Sequence, residues 1–241
     1  MKASLFIIIV LLSGCLAGTI HGLVNLVLVE PFLDRAIAIE NENMFASGEA
    51  EDTPQFWIEY SAYRTWQKGG QILAGAILGT SVGALFGLIF AYAKNVLPGT
   101  SILKKSMFLA FLMWVTLYII PFMKYPANPP TVGDPETIVL RQMLYVTFIA
   151  ISGLGAFGFY HIYKRVNKKF VAFAGYAVFI AAVFVLLPAN PDEITAPEDL
   201  VNSFRISSVI GVSIFWIAVG VILGGLWHKL QPDRVQQPRL N

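Results

Sequence analysis

The sequence is poor in charge, histidine and cysteine. Only 13% of its 241 residues are charged, roughly half the share usual in soluble domains, whereas 56% are hydrophobic. The single cysteine, Cys15, excludes an internal disulfide and any CxxC motif, and three histidines without HExxH argue against a dense soft-metal site. No phosphate-binding loop, GxSxG elbow or basic stripe occurs, so we expect neither an enzyme nor a nucleic-acid partner.

The hydrophobic residues are gathered into blocks long enough to cross a lipid bilayer. Uncharged stretches of about 17 to 25 residues match the ~30 Å thickness of the hydrocarbon. Six such stretches occur, at 5–29, 69–93, 106–123, 142–163, 170–187 and 206–227. The sequence therefore predicts an all-α integral membrane protein with six transmembrane helices, forming a single domain over 1–241.

The charges of the connecting segments predict the orientation of the spans. The two ends and the two short connections hold 11 of the 17 Lys and Arg with one acid, Asp233. Loop one (30–68), loop two (124–141) and loop three (188–205) hold 14 acids against 6 basic residues, a net charge of −8. Because positive segments stay inside, we expect both termini in the cytoplasm, the three loops outside, and a location in the cell membrane.

An alternative exists at the N-terminus. The residues before Cys15, Leu12-Ser13-Gly14, fit a lipoprotein signal in which the cysteine takes a lipid. A signal segment is short and is followed by polar chain, but here the apolar run continues to Val29. We therefore interpret Cys15 as a small residue within the first span.

Loops two and three share a motif, which predicts an internal repeat. Pro126-Ala127-Asn128-Pro129 opens loop two, and Pro188-Ala189-Asn190-Pro191 opens loop three. Acidic residues follow each motif, and a lone arginine then precedes the returning helix. These arginines are Arg141 and Arg205, with Arg64 in the corresponding place of loop one. We predict three outward-facing helical hairpins of one orientation, at about 1–93, 106–163 and 170–228.

Two interpretations of the three arginines remain open. Each could extend its side chain to the lipid headgroups, as arginines at span ends commonly do. Alternatively, the three could converge at the outer mouth and pair with acids such as Glu30. The aromatic stretch of loop one between Phe56 and Trp66 predicts a short interfacial helix, because amphipathic aromatics prefer the membrane–water boundary.

Glycines four residues apart predict close helix packing. Span 2 carries four, which are Gly75, Gly79, Gly83 and Gly87. Small residues at this spacing let another backbone approach closely, and dispersion then holds the helices together in lipid. Gly220 and Gly224 repeat the pattern in span 6.

Span 1 combines small and polar residues on one face. Gly14, Gly18, His21 and Asn25 follow at steps of four, three and four, with Glu30 just beyond the span. Polar side chains inside a membrane usually face the bundle interior and often mark a pathway. His21, Asn25 and Glu30 are therefore candidates for an ion path, and a histidine bonded to a neighbouring helix is the structural alternative. His161 and His228 lie beside lysines and are interpreted as boundary residues.

Four stretches resemble the predicted cobalt transporter family CbtA. They are VEPFLDRAIAIE (29–40), YRTWQKGG (63–70), IPFMKYPANPPTVGDPETIVLRQMLY (120–145) and LPANPDEITAPEDLVNSFRISS (187–208). The resemblance implies a membrane subunit for cobalt uptake, linked to cobalamin synthesis and working beside a small one-span, His-rich partner. Cobalt would then be a substrate, with no permanently bound cofactor.

Two functions compete. The loop motifs favour a metal-ion transport subunit. The sparse polarity inside the spans favours a non-transporting scaffold of a membrane complex, in which the glycine grooves would bind partner helices.

Overall fold

The computed structural model describes residues 2–130 and 132–233, and within these ranges all regular structure is helical. The helices are α1 (Ala3–Leu28), α2 (Glu30–Ser47), α3 (Pro54–Ala93), α4 (Ile102–Trp114), α5 (Ile120–Lys124), α6 (Ile138–Val166), α7 (Lys169–Leu186) and α8 (Glu198–Leu230). A π-helical turn, Val115–Ile119, joins α4 to α5. Six helices in the described residues are long and apolar enough to cross a membrane, as predicted; α4 and α5 form one of these, Ile102–Lys124.

The chain packs as two compact units. The first comprises Met1–Phe111 and Ile206–Asn241, and the second comprises Leu112–Arg205. The boundaries fall inside the third and sixth spans, so these units do not coincide with the hairpins suggested by the sequence. Membrane helices associate where their backbones approach closely, and the glycines draw together helices that are distant in the chain.

In the first unit, α1 and α3 interleave their glycines. A Cβ added to Gly79 would lie 2.5 Å from both the carbonyl oxygen of Gly14 and the Cα of Gly18. Gly75 and Gly83 face the same helix, and Gly87 faces Val10. The glycine groove of span 2 is therefore filled by α1 of the same chain.

The glycines of α8 pack against α4 in the same way. A Cβ added to Gly224 would lie 2.9 Å from the Cα of Leu103. The hydroxyl of Ser106, fully buried, lies 2.7 Å from the carbonyl oxygen of Gly220 and 3.0 Å from that of Leu103. This hydroxyl joins the two helices without leaving a buried polar group unpaired.

Both described ends of the chain meet at one end of the first unit. The backbone N–H of Lys2 donates to the carbonyl oxygen of Pro232 at 2.7 Å. Asp233 accepts from Trp227 at 3.0 Å and pairs with Lys94. The N-terminal end of α1 and the C-terminal end of α8 therefore lie on the same side.

Loop one is more helical than the sequence suggested. Its aromatic stretch is not a separate short helix but the first part of α3, whose 40 residues extend for about 60 Å, twice the thickness of the hydrocarbon. Thr53 caps its start by accepting from the backbone N–H of Phe56. The helix continues without a break into the second span, whose uncharged stretch begins at residue 69.

In the second unit, the start of loop two is bonded to the end of α7. Lys124 Nζ donates to the carbonyl oxygen of Phe184 at 2.6 Å, and Tyr125 Oη donates to that of Pro188 at 2.5 Å. A cation suits the carbonyl-rich end of a helix. Between α6 and α7, Ser152 and the hydroxyl of Tyr176 lie 2.8 Å apart.

Candidate functional site

His21 is held between α1 and α8. Its Nδ1 lies 3.0 Å from the carbonyl oxygen of Gly211, and its ring meets that of Phe215 edge-on, with centroids 5.9 Å apart. Because a carbonyl can only accept, Nδ1 carries the proton of the neutral ring. The other nitrogen, Nε2, therefore presents a lone pair.

Asn25, one turn further along α1, donates a hydrogen bond to that lone pair. Its Nδ2 lies 3.2 Å from His21 Nε2, so the amide N–H donates to the ring. Its Oδ1 is buried and has no hydrogen-bond partner. A buried carbonyl left unpaired costs about 1–3 kcal/mol, so this oxygen is an exception that needs a reason.

Gly211 provides the room for this pair. A Cβ added to Gly211 would lie 2.6 Å from Asn25 Oδ1 and 3.6 Å from the ring of His21. Any larger residue would press on the amide oxygen. The sequence did not reveal Gly211, because periodicity within one helix says nothing about which distant helix packs against it.

Glu30 belongs to a separate ion-pair network between α2 and α3. Arg64 pairs with Glu30 and, at 2.7 Å, with Asp34, and Gln71 donates to the second oxygen of Glu30 at 3.0 Å. Lys68 lies 2.7 Å from Asp34. Glu30 and Arg64 are both 7% exposed. Two acids and two bases neutralise one another in this network.

The structure therefore joins only two of the three candidate path residues. His21 and Asn25 touch each other, whereas both carboxylate oxygens of Glu30 are already engaged by Arg64 and Gln71. Glu30 pairs with Arg64 instead, in agreement with the interpretation that the arginines pair with acids such as Glu30.

Three members of this network were not predicted from the sequence, although their spacing offered a signal. They are Asp34, Lys68 and Gln71. Asp34 follows Glu30 by four residues, and Lys68 and Gln71 follow Arg64 by four and seven. These spacings place each set on one helix face.

The network lowers the pKa of Asp34. Its partial burial raises the pKa of its carboxyl, but the hydrogen bonds and charges of Lys68 and Arg64 outweigh burial. The net effect is a pKa below the usual 3.8, so the carboxylate stays charged at neutral pH.

Arg141 and Asp192 connect loop two to loop three. Arg141 Nε lies 2.9 Å from Asp192 Oδ2, an ion pair without the angle of a hydrogen bond. Its two terminal nitrogens donate to the carbonyl oxygens of Val132 and Asp134, each at 3.1 Å. Asp192, with a side chain only 7% exposed, also accepts from Thr137 at 2.7 Å.

Gly133 makes this approach possible. Its φ of 95° is a left-handed conformation that favours glycine, and an added Cβ would collide with Asp192 and lie 2.8 Å from Arg141 Nη1. No sequence motif marked this glycine.

Arg205 makes the reciprocal connection. Its Nη2 donates to Asn128 Oδ1 at 2.7 Å and its Nε to the carbonyl oxygen of Ala127 at 3.3 Å. Thus the arginine that follows each motif contacts the opposite loop. The equivalent asparagine of loop three, Asn190, instead accepts from the backbone N–H of Asp192 at 3.2 Å.

The prolines of the two motifs differ in burial. Pro129 is fully buried and Pro126 is intermediate, whereas Pro188 and Pro191 are exposed. The motif of loop two therefore lies deeper in the second unit than its counterpart in loop three.

The other two histidines are exposed. His161 lies 2.9 Å from the carbonyl oxygen of Phe157 in its own helix, and His228 is in the last turn of α8. Across residues 2–130 and 132–233, no group of three or more His, Cys, Asp or Glu side chains could hold a metal ion. A cation at His21 would need ligands of other kinds.

Comparison with known proteins gives one match. A family model described as "Probable cobalt transporter subunit (CbtA)" matches residues 3–228, nearly the whole chain. No curated protein and no solved structure matches.

Proposed function

Because the chain belongs to the CbtA family of probable cobalt transporter subunits, we propose that it is a multi-pass membrane subunit for uptake of a divalent metal ion, cobalt, for cobalamin synthesis. Both termini lie in the cytoplasm, and three hairpins face outward. The observation that carries the proposal is the pair His21–Asn25, which places a ring nitrogen and an amide oxygen inside an apolar span. Cobalt accepts both kinds of ligand.

The charge of the loops supports uptake, that is, transport from the outside into the cell. Loops one, two and three carry six basic residues against 14 acids. Such a surface concentrates divalent cations near the mouth of the protein. The chain has no nucleotide-binding motif, so the energy comes from an ion gradient or from another subunit.

A partner subunit fits this proposal. The family description contains the word subunit, and the described residues hold no cluster that would capture a metal outside the membrane. A small one-span protein with a His-rich tail would supply that capture.

The scaffold alternative depended on glycine grooves that bind partner helices. Gly75, Gly79 and Gly83 are occupied by α1, and Gly220 and Gly224 by α4. These grooves are therefore not free to receive another protein, and this favours transport.

The proposal is tested by uptake of radiolabelled cobalt in cells with and without the gene, together with its partner gene. We expect faster uptake with the gene, at cobalt concentrations too low for non-specific entry. Equal uptake in both cells would refute the transport function and leave the scaffold.

A further inference from the structure

The buried side-chain oxygen of Asn25, which has no hydrogen-bond partner, is the unusual feature of this site. In the structure, the amide N–H of Asn25 faces the lone pair of His21 Nε2, and Oδ1 points away without a partner. Rotating the amide by half a turn would exchange its nitrogen and oxygen. Two lone pairs would then face each other, an arrangement that repels unless a cation lies between them.

We propose that Asn25 is a two-state ligand, whose amide turns so that its Oδ1 and His21 Nε2 together bind a first-row divalent cation. This proposal rests on the proposed transport function and specifies its atoms. Without the cation, the amide N–H protects the ring nitrogen. With the cation, the oxygen that is unpaired in the structure becomes a ligand.

The spacing of the two atoms fits such a cation. His21 Nε2 and the facing amide atom of Asn25 are 3.2 Å apart. Two metal–ligand bonds of about 2.1 Å spanning this distance enclose an angle of about 100°, close to that between neighbouring ligands of an octahedral or tetrahedral ion. Water would complete the shell, since no group of three or more His, Cys, Asp or Glu side chains in the described residues could hold a metal ion.

The ring nitrogen selects the ion. Imidazole suits cobalt, nickel and zinc, whereas magnesium and calcium prefer oxygen ligands. The bond from Nδ1 to the carbonyl oxygen of Gly211 fixes the tautomer and the ring plane, so Nε2 stays available as the ligand. A site of this kind discriminates against the abundant hard cations.

Gly211 permits the rotation. A Cβ at this position would lie 2.6 Å from the oxygen of Asn25, on the side that the amide must sweep. Gly225 in the same helix has open space around it and serves as the matched control.

The experiment is a Co²⁺ titration of the purified, metal-free full-length protein in detergent, followed by visible absorption of the bound ion. We expect Asn25→Leu and Gly211→Ala to weaken Co²⁺ binding about tenfold or more, Asn25→Asp to bind at least as tightly as the wild type, and Gly225→Ala to bind normally. Excess Mg²⁺ should not displace the cobalt. Monodisperse elution of each variant verifies its fold.

Unchanged Co²⁺ binding in Asn25→Leu, or a wild-type protein that binds no Co²⁺, would overturn the two-state ligand. If cells with the gene still take up cobalt in that case, the transport function stands and only this inference fails. If the gene confers no uptake, the proposed function fails whatever the titration gives.

Discussion

Arg141 and Asp192 lie 2.9 Å apart although they belong to different loops of the chain. Arg205, which follows loop three, in turn bonds to Asn128 of loop two. Each arginine thus contacts the loop that it does not follow. This reciprocal contact makes loops two and three a single folded element within the second unit.

The ion pair of Arg141 should contribute strongly to stability. Replacing Arg141 by Met leaves the carboxylate of Asp192 buried without its cation, and we expect a loss of about 3 kcal/mol. Glu193→Gln, at the exposed neighbouring position, should change stability by less than about 0.5 kcal/mol. Thermal unfolding in detergent measures both, and equal effects would show that the pair is dispensable.

The network around Asp34 predicts a pH dependence. Since the folded pKa of Asp34 is lowered from its usual 3.8, its contribution is fully present above that value and is lost as pH falls through the folded pKa. Because Asp34 is partly exposed, Asp34→Asn should cost only about 1 kcal/mol at neutral pH.

Unfolding of the wild type and of Asp34→Asn, compared across pH, checks this expectation. The two should converge in acid, and high salt should narrow the gap between them at neutral pH. Glu42→Gln, exposed on the same helix, is the control. A gap that persists below the lowered pKa would contradict the role of the charge.

The contact between α1 and α3 predicts the effect of adding one methyl group. Gly79→Ala would place a Cβ 2.5 Å from Gly14 O and Gly18 Cα, forcing the backbones apart at a cost of about 1–3 kcal/mol. Gly69→Ala in the same helix meets open space and should stabilise the helix by up to about 1 kcal/mol. Membrane abundance and melting temperature should therefore both fall in Gly79→Ala and both rise or stay level in Gly69→Ala. A Gly79→Ala variant with wild-type stability would argue against close packing.

The orientation is tested by cysteine labelling in a Cys15→Ala background. A cysteine at Ala50 in loop one should react with an impermeant thiol reagent added outside intact cells. A cysteine at Asn167, exposed in the turn between α6 and α7, should react only after the membrane is opened. Labelling of the second position in intact cells would invert the topology.

Span positions followed from the sequence because length and hydropathy alone determine what can cross a bilayer. The start of α3 did not follow, because Arg64 and Lys68 end the uncharged stretch that defines the second span, and hydropathy does not show whether the helix continues beyond it. Ion pairs from Glu30 and Asp34 to Arg64 and Lys68 hold this extension against α2, and such pairs depend on tertiary contact.

The site was only half visible in the same way. Helical spacing placed His21 and Asn25 on one face, and the structure shows them in contact. The spacing could not identify Gly211, because one helix does not show which other helix lies opposite. For the same reason it could not decide whether Glu30 lies on an ion path or in an ion pair.

The most direct test of the transport mechanism is cobalt uptake by His21→Ala, normalised to the amount of protein in the membrane. The variant loses the ligand nitrogen, whereas its lost hydrogen bond to Gly211 costs only about 1 kcal/mol in a membrane, so abundance should stay near normal. Uptake should fall to the level of cells without the gene, while His161→Ala, at an exposed position, keeps wild-type uptake. Wild-type uptake by His21→Ala would contradict an ion path through His21 and leave this histidine a packing residue.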